Sequence, residues 1–165
     1  MAVPGLSTLE MQLLYGIETT AGTQPTTFTE LSRINAIGGI SVDVETIDAS
    51  AISDKTTRTV AGRGDTGGNF TVTVNLTSET VEEWNTLISA YKTAKASGLS
   101  TWFAVYHPDI QMDFSGTDKH VAWVIVAEPP REIPMPEIGQ NELLTVEITL
   151  TINEYKGLLD ASAIV

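Results

Sequence analysis

The sequence predicts a mainly β protein, an antiparallel β-sandwich or partial barrel with one flanking α-helix and a long loop between two early strands. Three observations predict this fold. Several segments alternate apolar and polar residues with the period of two typical of half-buried strands. A single segment has helical periodicity. A polar stretch about twice as long as an ordinary connection separates two alternating segments. The 165 residues, 42% hydrophobic and 18% charged, suit a single domain with its own core.

The first third of the chain is expected to hold an arm, a strand and the long loop. Residues 1–10 form the expected N-terminal arm, and MQLLYGIET suits a short strand. The Thr-, Gly- and Pro-rich stretch TTAGTQPTTFTE predicts a loop or extended arm. A clear alternation follows at Ile40, Val42 and Val44. Residues 46–68 are then too polar for a core and lack helical periodicity, so we expect a mobile loop there.

A strand and the helix come next. Phe70, Val72, Val74 and Leu76 alternate with polar residues, which predicts a strand. A helix is expected over residues 78–96, capped by Thr77 or Ser78, with acidic residues near its start, lysines near its end and Gly98 as the stop. The apolar stripe of this helix should anchor it to the core through Trp84, Ile88 and Tyr91.

The last third predicts three more strands. TWFAVYH is a short aromatic strand, and residues 109–119 suit a polar loop. HVAWVIVAE is apolar on both faces, which predicts a central, well-covered strand. Four prolines between residues 129 and 136 prevent regular structure in the next segment. The stretch LLTVEITLTI alternates cleanly and predicts the closing strand, with residues 157–165 as a C-terminal tail.

Charge and composition limit the possible partners. The formal net charge of −12 argues against a protein that binds nucleic acid tightly, because tight binding depends on Lys and Arg side chains that neutralise phosphates. A negative charge does suit a surface past which nucleic acid slides without binding. The absence of cysteine excludes disulfides and thiolate metal sites. No apolar run is long enough to span a membrane, so we expect no membrane partner.

The stretch AGRGDTGG contains two short motifs that we interpret as incidental. Residues 62–67 fit the G-x-G-x-x-G dinucleotide pattern, but a strand, not a helix, is expected after them, and Asp65 would repel phosphate. The tripeptide Arg63-Gly64-Asp65 matches a receptor-binding motif, yet three-letter matches arise easily by chance.

A cluster of potential metal ligands surrounds the expected loop at residues 109–119. His107 and His120 could flank a hairpin and share a metal, although no spacing matches a known zinc or calcium motif. No nucleophile elbow or identifiable carboxylate pair is present, so we expect neither an enzyme nor a cofactor.

The sequence resembles the major tail tube proteins of long-tailed, non-contractile bacteriophages, from about residue 11 to residue 156. Ile47-Asp48-Ala49-Ser50 matches a recurrent apolar-Asp-small pattern, and Asp65-x-Gly67 a recurrent motif before an alternating strand. The order of elements also matches: long loop, strand, single helix, strands and a closing alternating strand, ELLTVEITLTINEY.

This resemblance implies a structural virion protein located in the tail and made in the cytoplasm of the host bacterium. Six copies would close into a ring, and rings would stack into a hollow tube. The expected partners are the chain itself, the tape-measure, tail-tip and tail-terminator proteins, and genomic DNA as passing cargo. The resemblance implies that the long loop contacts a neighbouring ring, and the candidate contacts are Asp48, Asp54, Lys55, Arg58, Arg63 and Asp65. Candidates for the lumen are Thr71, Thr73, Glu147, Thr149 and Thr151.

Three alternatives remain open at this point. The first is a tail terminator or a secreted ring-forming relative of the same fold. The second is a carbohydrate-binding β-sandwich in which Trp102, Tyr106 and Trp123 are exposed stacking aromatics, although their apolar surroundings favour burial. The third is an enzyme that uses His107 and His120.

Overall fold

The computed structural model describes residues 4–162 and residue 164. Residues 1–3 of the expected arm, and residues 163 and 165 of the expected tail, lie outside this range. None of the described residues forms a helix with the length and apolar character needed to cross a bilayer. The elements in chain order are β1 (Gln12–Ile17), β2 (Thr29–Leu31), β3 (Ile34–Ile37), β4 (Asp43–Asp48), β5 (Thr59–Asp65), β6 (Asn69–Asn75), α1 (Ser78–Ala96), β7 (Thr101–Phe114), β8 (Thr117–Glu128) and β9 (Thr145–Asp160).

Seven of the nine strands in the described part of the chain form one antiparallel sheet, in the order β2-β1-β7-β8-β9-β6-β3. The sheet curls into a nearly closed, barrel-like shape, with β2 and β3 as its two edges. One helix accompanies the sheet, and the predicted mainly β fold class is therefore confirmed.

The inside of the curled sheet holds the main core. The alternation in β6 and β9 places Phe70, Val72 and Val74 directly opposite Leu150, Ile148 and Val146, and all six side chains are buried. Paired strands with matching alternation bury one common face, because side chains a period of two apart point the same way. Trp84 and Leu87 of α1 pack into this same cluster.

A second buried cluster lies on the opposite face of β7 and β8. Trp102 and Ala104 of β7 pack there with Ala122 and Val124 of β8. Because β8 is covered on both faces from residue 121 to residue 127, this part of the strand is apolar, and the prediction of a central strand is confirmed. Two residues near the C-terminus, Ala161 and Ile164, belong to this cluster, so the end of the chain helps to cover it.

The helix begins with a reciprocal cap. The Thr80 backbone N–H donates to the Thr77 hydroxyl oxygen at 3.2 Å, and the Thr77 N–H donates to the Thr80 hydroxyl oxygen at 2.8 Å. Thr77 is thus the cap, rather than Ser78. At the other end Gly98 has φ +74°, a left-handed conformation that glycine adopts without strain.

Two expectations about the later strands are wrong. Residues 109–119 do not form a loop, because β7 and β8 continue as a ladder to a two-residue turn at Ser115 and Gly116. Both turn residues have positive φ, +55° and +87°, which matches the twist of a tight hairpin. The last strand also continues to Asp160, so residues 157–160 of the expected tail are paired with β8.

Candidate functional site

The segment expected to be a long loop, residues 46–68, is mostly a β-hairpin. Strands β4 and β5 pair antiparallel and form a two-stranded sheet of their own. The sequence misled the loop prediction because the hairpin has no buried face and therefore shows no alternation of apolar and polar residues in β5. The strand expected from residue 40 begins at Asp43 instead.

The hairpin exposes several apolar side chains. Val44, Ile47 and Val60 are each about half exposed. Ile52 at the tip is fully exposed, with a relative accessibility of 108%. An isolated two-stranded hairpin is marginally stable in water, since it has no hydrophobic face to bury. Burial of these side chains against a second surface would stabilise it.

Three of the predicted contact residues meet at the hairpin tip. The Asp48 carboxylate accepts the Ser50 N–H at 2.8 Å, and the hydrogen bonds from Ser50 lower the pKa of Asp48. The Asp54 carboxylate accepts the Ala51 N–H at 2.8 Å and pairs with the Arg58 guanidinium at 3.3 Å. These bonds give the tip a defined shape without any support from the core.

The other three predicted contact residues do not join this network. Lys55 and Arg63 are exposed, and neither has an ion-pair partner among residues 4–162 and 164. The Asp65 carboxylate accepts the Gly67 N–H at 2.8 Å, at the turn into β6. The G-x-G-x-x-G match thus lies in β5 and in a turn that leads to a strand, without the helix that pyrophosphate binding needs.

The five lumen candidates lie on one face of the sheet. Thr71 lies opposite Thr149, and Thr73 lies opposite Glu147, while Thr151 lies opposite Asn69. Because their neighbours along each strand point into the core, these five side chains share the outer face of β6 and β9. The face is half-buried at the two β6 threonines and exposed along β9.

An acidic groove of about 360 Å³ lies at the end of this face. It runs between the outer face of β6 and β9 and the proline-rich segment, residues 129–144, which has no regular secondary structure. Its lining includes Thr73, Met135, Glu137, Glu142, Leu143 and Glu147. The sequence analysis did not predict this groove. One signal was present: apolar residues that lie between prolines cannot join a regular strand or helix, so they are often left exposed.

The predicted helix anchors are buried. Trp84, Ile88 and Tyr91 are 1%, 4% and 7% exposed. The Tyr91 hydroxyl donates to a Glu128 carboxylate oxygen at 3.2 Å, and the Lys95 ammonium donates to the same oxygen at 2.7 Å. The hydrogen bond from Lys95 lowers the pKa of Glu128, and the same bond raises the pKa of Lys95. These bonds tie the last turns of α1 to the end of β8.

The two histidines do not form a metal site with other ligands. His107 is buried, and its Nδ1 accepts the Asp109 N–H at 3.0 Å, so its Nε2 carries the proton and donates to the Ser7 carbonyl at 2.9 Å. His120 packs edge-on against Tyr106. Across residues 4–162 and 164, no three His, Cys, Asp or Glu side chains gather as a metal would need.

The aromatic side chains of the carbohydrate-binding alternative are mostly hidden. Trp102 and Tyr106 are 4% and 6% exposed. Trp123 is half-buried and lines an open, mainly apolar cavity of about 620 Å³ inside the curled sheet, between β3 and β1. A stacking platform for sugars needs exposed ring faces, so this arrangement does not favour that alternative.

Glu18 is a structural residue that sequence reasoning missed. Its side chain is 4% exposed, and its two carboxylate oxygens accept the Trp102 indole N–H at 2.7 Å, the Ser100 N–H at 3.0 Å and the Gly22 N–H at 3.2 Å. A buried carboxylate is stable only when donors surround it. Glu18 therefore holds the segment after β1 against the start of β7.

Comparisons with known proteins place the fold. No protein-family model matches the chain, and no curated protein matches it in sequence. The chain is similar in structure to the sheath/tube terminator of an extracellular contractile injection system, PVC, in its extended state, with a TM-score of 0.62, 13% identity, and 96% of this chain and 98% of that chain covered. It is also similar to the tube-terminating cap of the anti-feeding prophage, with a TM-score of 0.58, 16% identity, and coverage of 98% and 95%.

Both likenesses extend over nearly the whole of each chain. The tail-tube-like fold expected from the sequence is confirmed at this level. The chain therefore shares its fold with these two solved structures.

Proposed function

We propose that this chain is a structural subunit of a hollow tube of the phage-tail type, and that it works by self-association rather than by catalysis. The observation that carries the proposal is the β4–β5 hairpin, a two-stranded sheet of its own in which Val44, Ile47 and Val60 are half exposed and Ile52 is fully exposed. Such a hairpin is stabilised when a second copy buries it.

In the proposed assembly six copies form a ring, and stacked rings form the tube. The hairpin reaches the adjacent ring, where its polar contacts come from Asp48, Asp54, Lys55, Arg58, Arg63 and Asp65. The outer face of β6 and β9 lines the lumen through Thr71, Thr73, Glu147, Thr149 and Thr151. The ends of the chain, residues 1–10 and 157–165, add contacts between subunits.

The charge of the chain supports a conduit for nucleic acid. At a formal net charge of −12, a ring of subunits would repel a passing DNA molecule instead of binding it. The proposed lumen face consists of threonines and one glutamate. These side chains are short and hydrated and include no cation that would bind DNA. Genomic DNA and a tape-measure protein would pass this surface as cargo.

A second candidate function is that of a tube terminator. Two structural likenesses, with TM-scores of 0.62 and 0.58, are to terminating proteins, and each covers at least 95% of both chains. A terminator would close on the end of a tube as one ring and would not polymerise. Tail-tip and tape-measure partners would then be replaced by contacts at the end of the tube.

Electron microscopy of the concentrated protein, with analytical ultracentrifugation beside it, separates the two functions. Long hollow tubes are expected from a shaft subunit, whereas single rings without tubes indicate a terminator. A protein that stays monomeric alone and also with a tube-initiating complex added would contradict both.

A shortened hairpin tests the observation behind the proposal. Asp48 and Thr59 are paired, so residues 49–58 can be replaced by Asn-Gly, which closes a two-residue hairpin turn. Since the hairpin packs on no core cluster, the urea midpoint should stay within error of the wild-type value. Assembly should be lost. A variant that still forms wild-type tubes would show that the hairpin tip plays no part in assembly.

A further inference from the structure

The hairpin needs a receiving surface, and one region of the described chain has the matching chemistry. We propose that the acidic groove beside the proline-rich segment, residues 129–144, receives the tip of the β4–β5 hairpin from a second copy of this chain. The inference rests on the proposed self-association and names the surface that it uses. Thr73 and Glu147 lie at the end of the proposed lumen face, so the docked tip would cover that end of the face and leave Thr71, Thr149 and Thr151 open.

The groove combines negative charge with uncovered apolar surface. Glu137, Glu142 and Glu147 line it, and none of the three forms an ion pair within the described part of the chain. Met135 and Leu143 at its rim are 85% and 67% exposed. Three unpaired carboxylates at one groove raise the local negative potential and favour a cationic partner.

The hairpin tip has the opposite character. The tip carries two cations, Lys55 and Arg58, and Arg58 is paired with Asp54. Lys55 is free of ion pairs within the described residues, and the fully exposed Ile52 stands three residues before it. The tip thus presents an apolar side chain and cations side by side, on a protein whose net charge is strongly negative.

The two surfaces are complementary in kind. The exposed Ile52 matches Met135 and Leu143, and the free Lys55 matches the carboxylates of the groove. No hairpin residue of the same copy is among the lining residues, so a hairpin tip docked in this groove would come from another copy.

Site-directed cysteines test this contact directly, because the chain has no native cysteine. One protein carries Ile52→Cys and the other carries Leu143→Cys. Mixed under mild oxidation, the pair should give disulfide-linked heterodimers several-fold faster than Ile52→Cys mixed with Asn85→Cys, an exposed position on α1. Mass spectrometry of the linked peptides identifies the crosslink. Equal rates for the two mixtures would overturn the docking proposal.

Charge reversal adds a test of recognition. Lys55→Glu in the Ile52→Cys protein should slow crosslinking, by roughly 1.5- to 5-fold for one exposed ion pair. Glu142→Lys in the Leu143→Cys protein should restore much of the rate. Lys92→Glu on α1 changes the net charge equally and is the matched control, which should leave the rate near that of the parent. A control that slows crosslinking as much as Lys55→Glu would overturn the charge pairing.

The outcomes separate this contact from the proposed function. Tubes or rings without the selective crosslink would uphold self-association and reject this groove as the receiving surface. A selective crosslink without tubes would uphold the contact and favour the terminator over the shaft subunit. Absence of both assembly and crosslink would reject the two proposals together.

Discussion

Replacing Glu18 with alanine is expected to destabilise the protein more than any exposed substitution on the sheet. The substitution leaves three N–H donors without their acceptor: the indole of Trp102 and the backbone groups of Ser100 and Gly22. The indole bond is buried, whereas the two backbone bonds are partly buried. The segment after β1 would also lose its tie to the start of β7.

The magnitude follows from the burial of each donor. A buried donor left without a partner costs about 1 to 3 kcal/mol. The two partly buried donors can find water, so each costs about 1 kcal/mol. Removing the buried charge relieves some desolvation, which offsets part of the loss. After this offset the expected decrease in the free energy of unfolding is roughly 2 to 4 kcal/mol, a large share of the ~5 to 15 kcal/mol of a typical domain.

Urea unfolding followed by circular dichroism measures this decrease, and three variants sharpen it. Glu30→Ala removes an exposed carboxylate on β2 and should cost no more than about 0.5 kcal/mol. Glu18→Gln keeps one acceptor oxygen and should fall between the two alanine variants. Combining Glu18→Gln with Trp102→Phe should cost less than the sum of the single changes, because the two residues share one hydrogen bond. A loss below about 1 kcal/mol for Glu18→Ala would refute the reasoning.

Three further predictions concern other contacts. Gly16→Ala should destabilise the fold, because its new methyl group would lie 2.8 Å from the Thr27 carbonyl oxygen, and a lowered urea midpoint would show it. Thr77→Ala should cost about 1 kcal/mol through loss of the helix cap, whereas an unchanged midpoint would contradict the capping role. Hydrogen bonds from Ser162 lower the pKa of Asp160 to about 2 from the usual 3.8. Its contribution to stability is present above about pH 4 and is lost as the pH falls towards 2, so the stability difference between wild type and Asp160→Asn should shrink over that range. A difference independent of pH would contradict this assignment.

The sequence alone predicts those parts of the fold whose periodicity reports burial. The alternation of β6 and β9 and the apolar stripe of α1 each arise because one face of a regular element meets the core. The doubly apolar pattern of β8 likewise reflects cover on both faces. In each case the pattern of apolar residues in the sequence shows which face of the element is buried in the structure.

Only the tertiary structure showed which polar segments are strands and which distant residues meet. The β4–β5 hairpin and the outer half of β7 and β8 are held by backbone hydrogen bonds with solvent on both sides, and such pairing leaves no hydrophobic period in the sequence. Glu18 forms a hydrogen bond with Trp102, which lies 84 positions further along the chain. The acidic groove likewise joins the proline-rich segment to the outer face of β6 and β9. Contacts of this kind depend on how the sheet curls, and that curvature is a property of the whole fold rather than of any local stretch of residues.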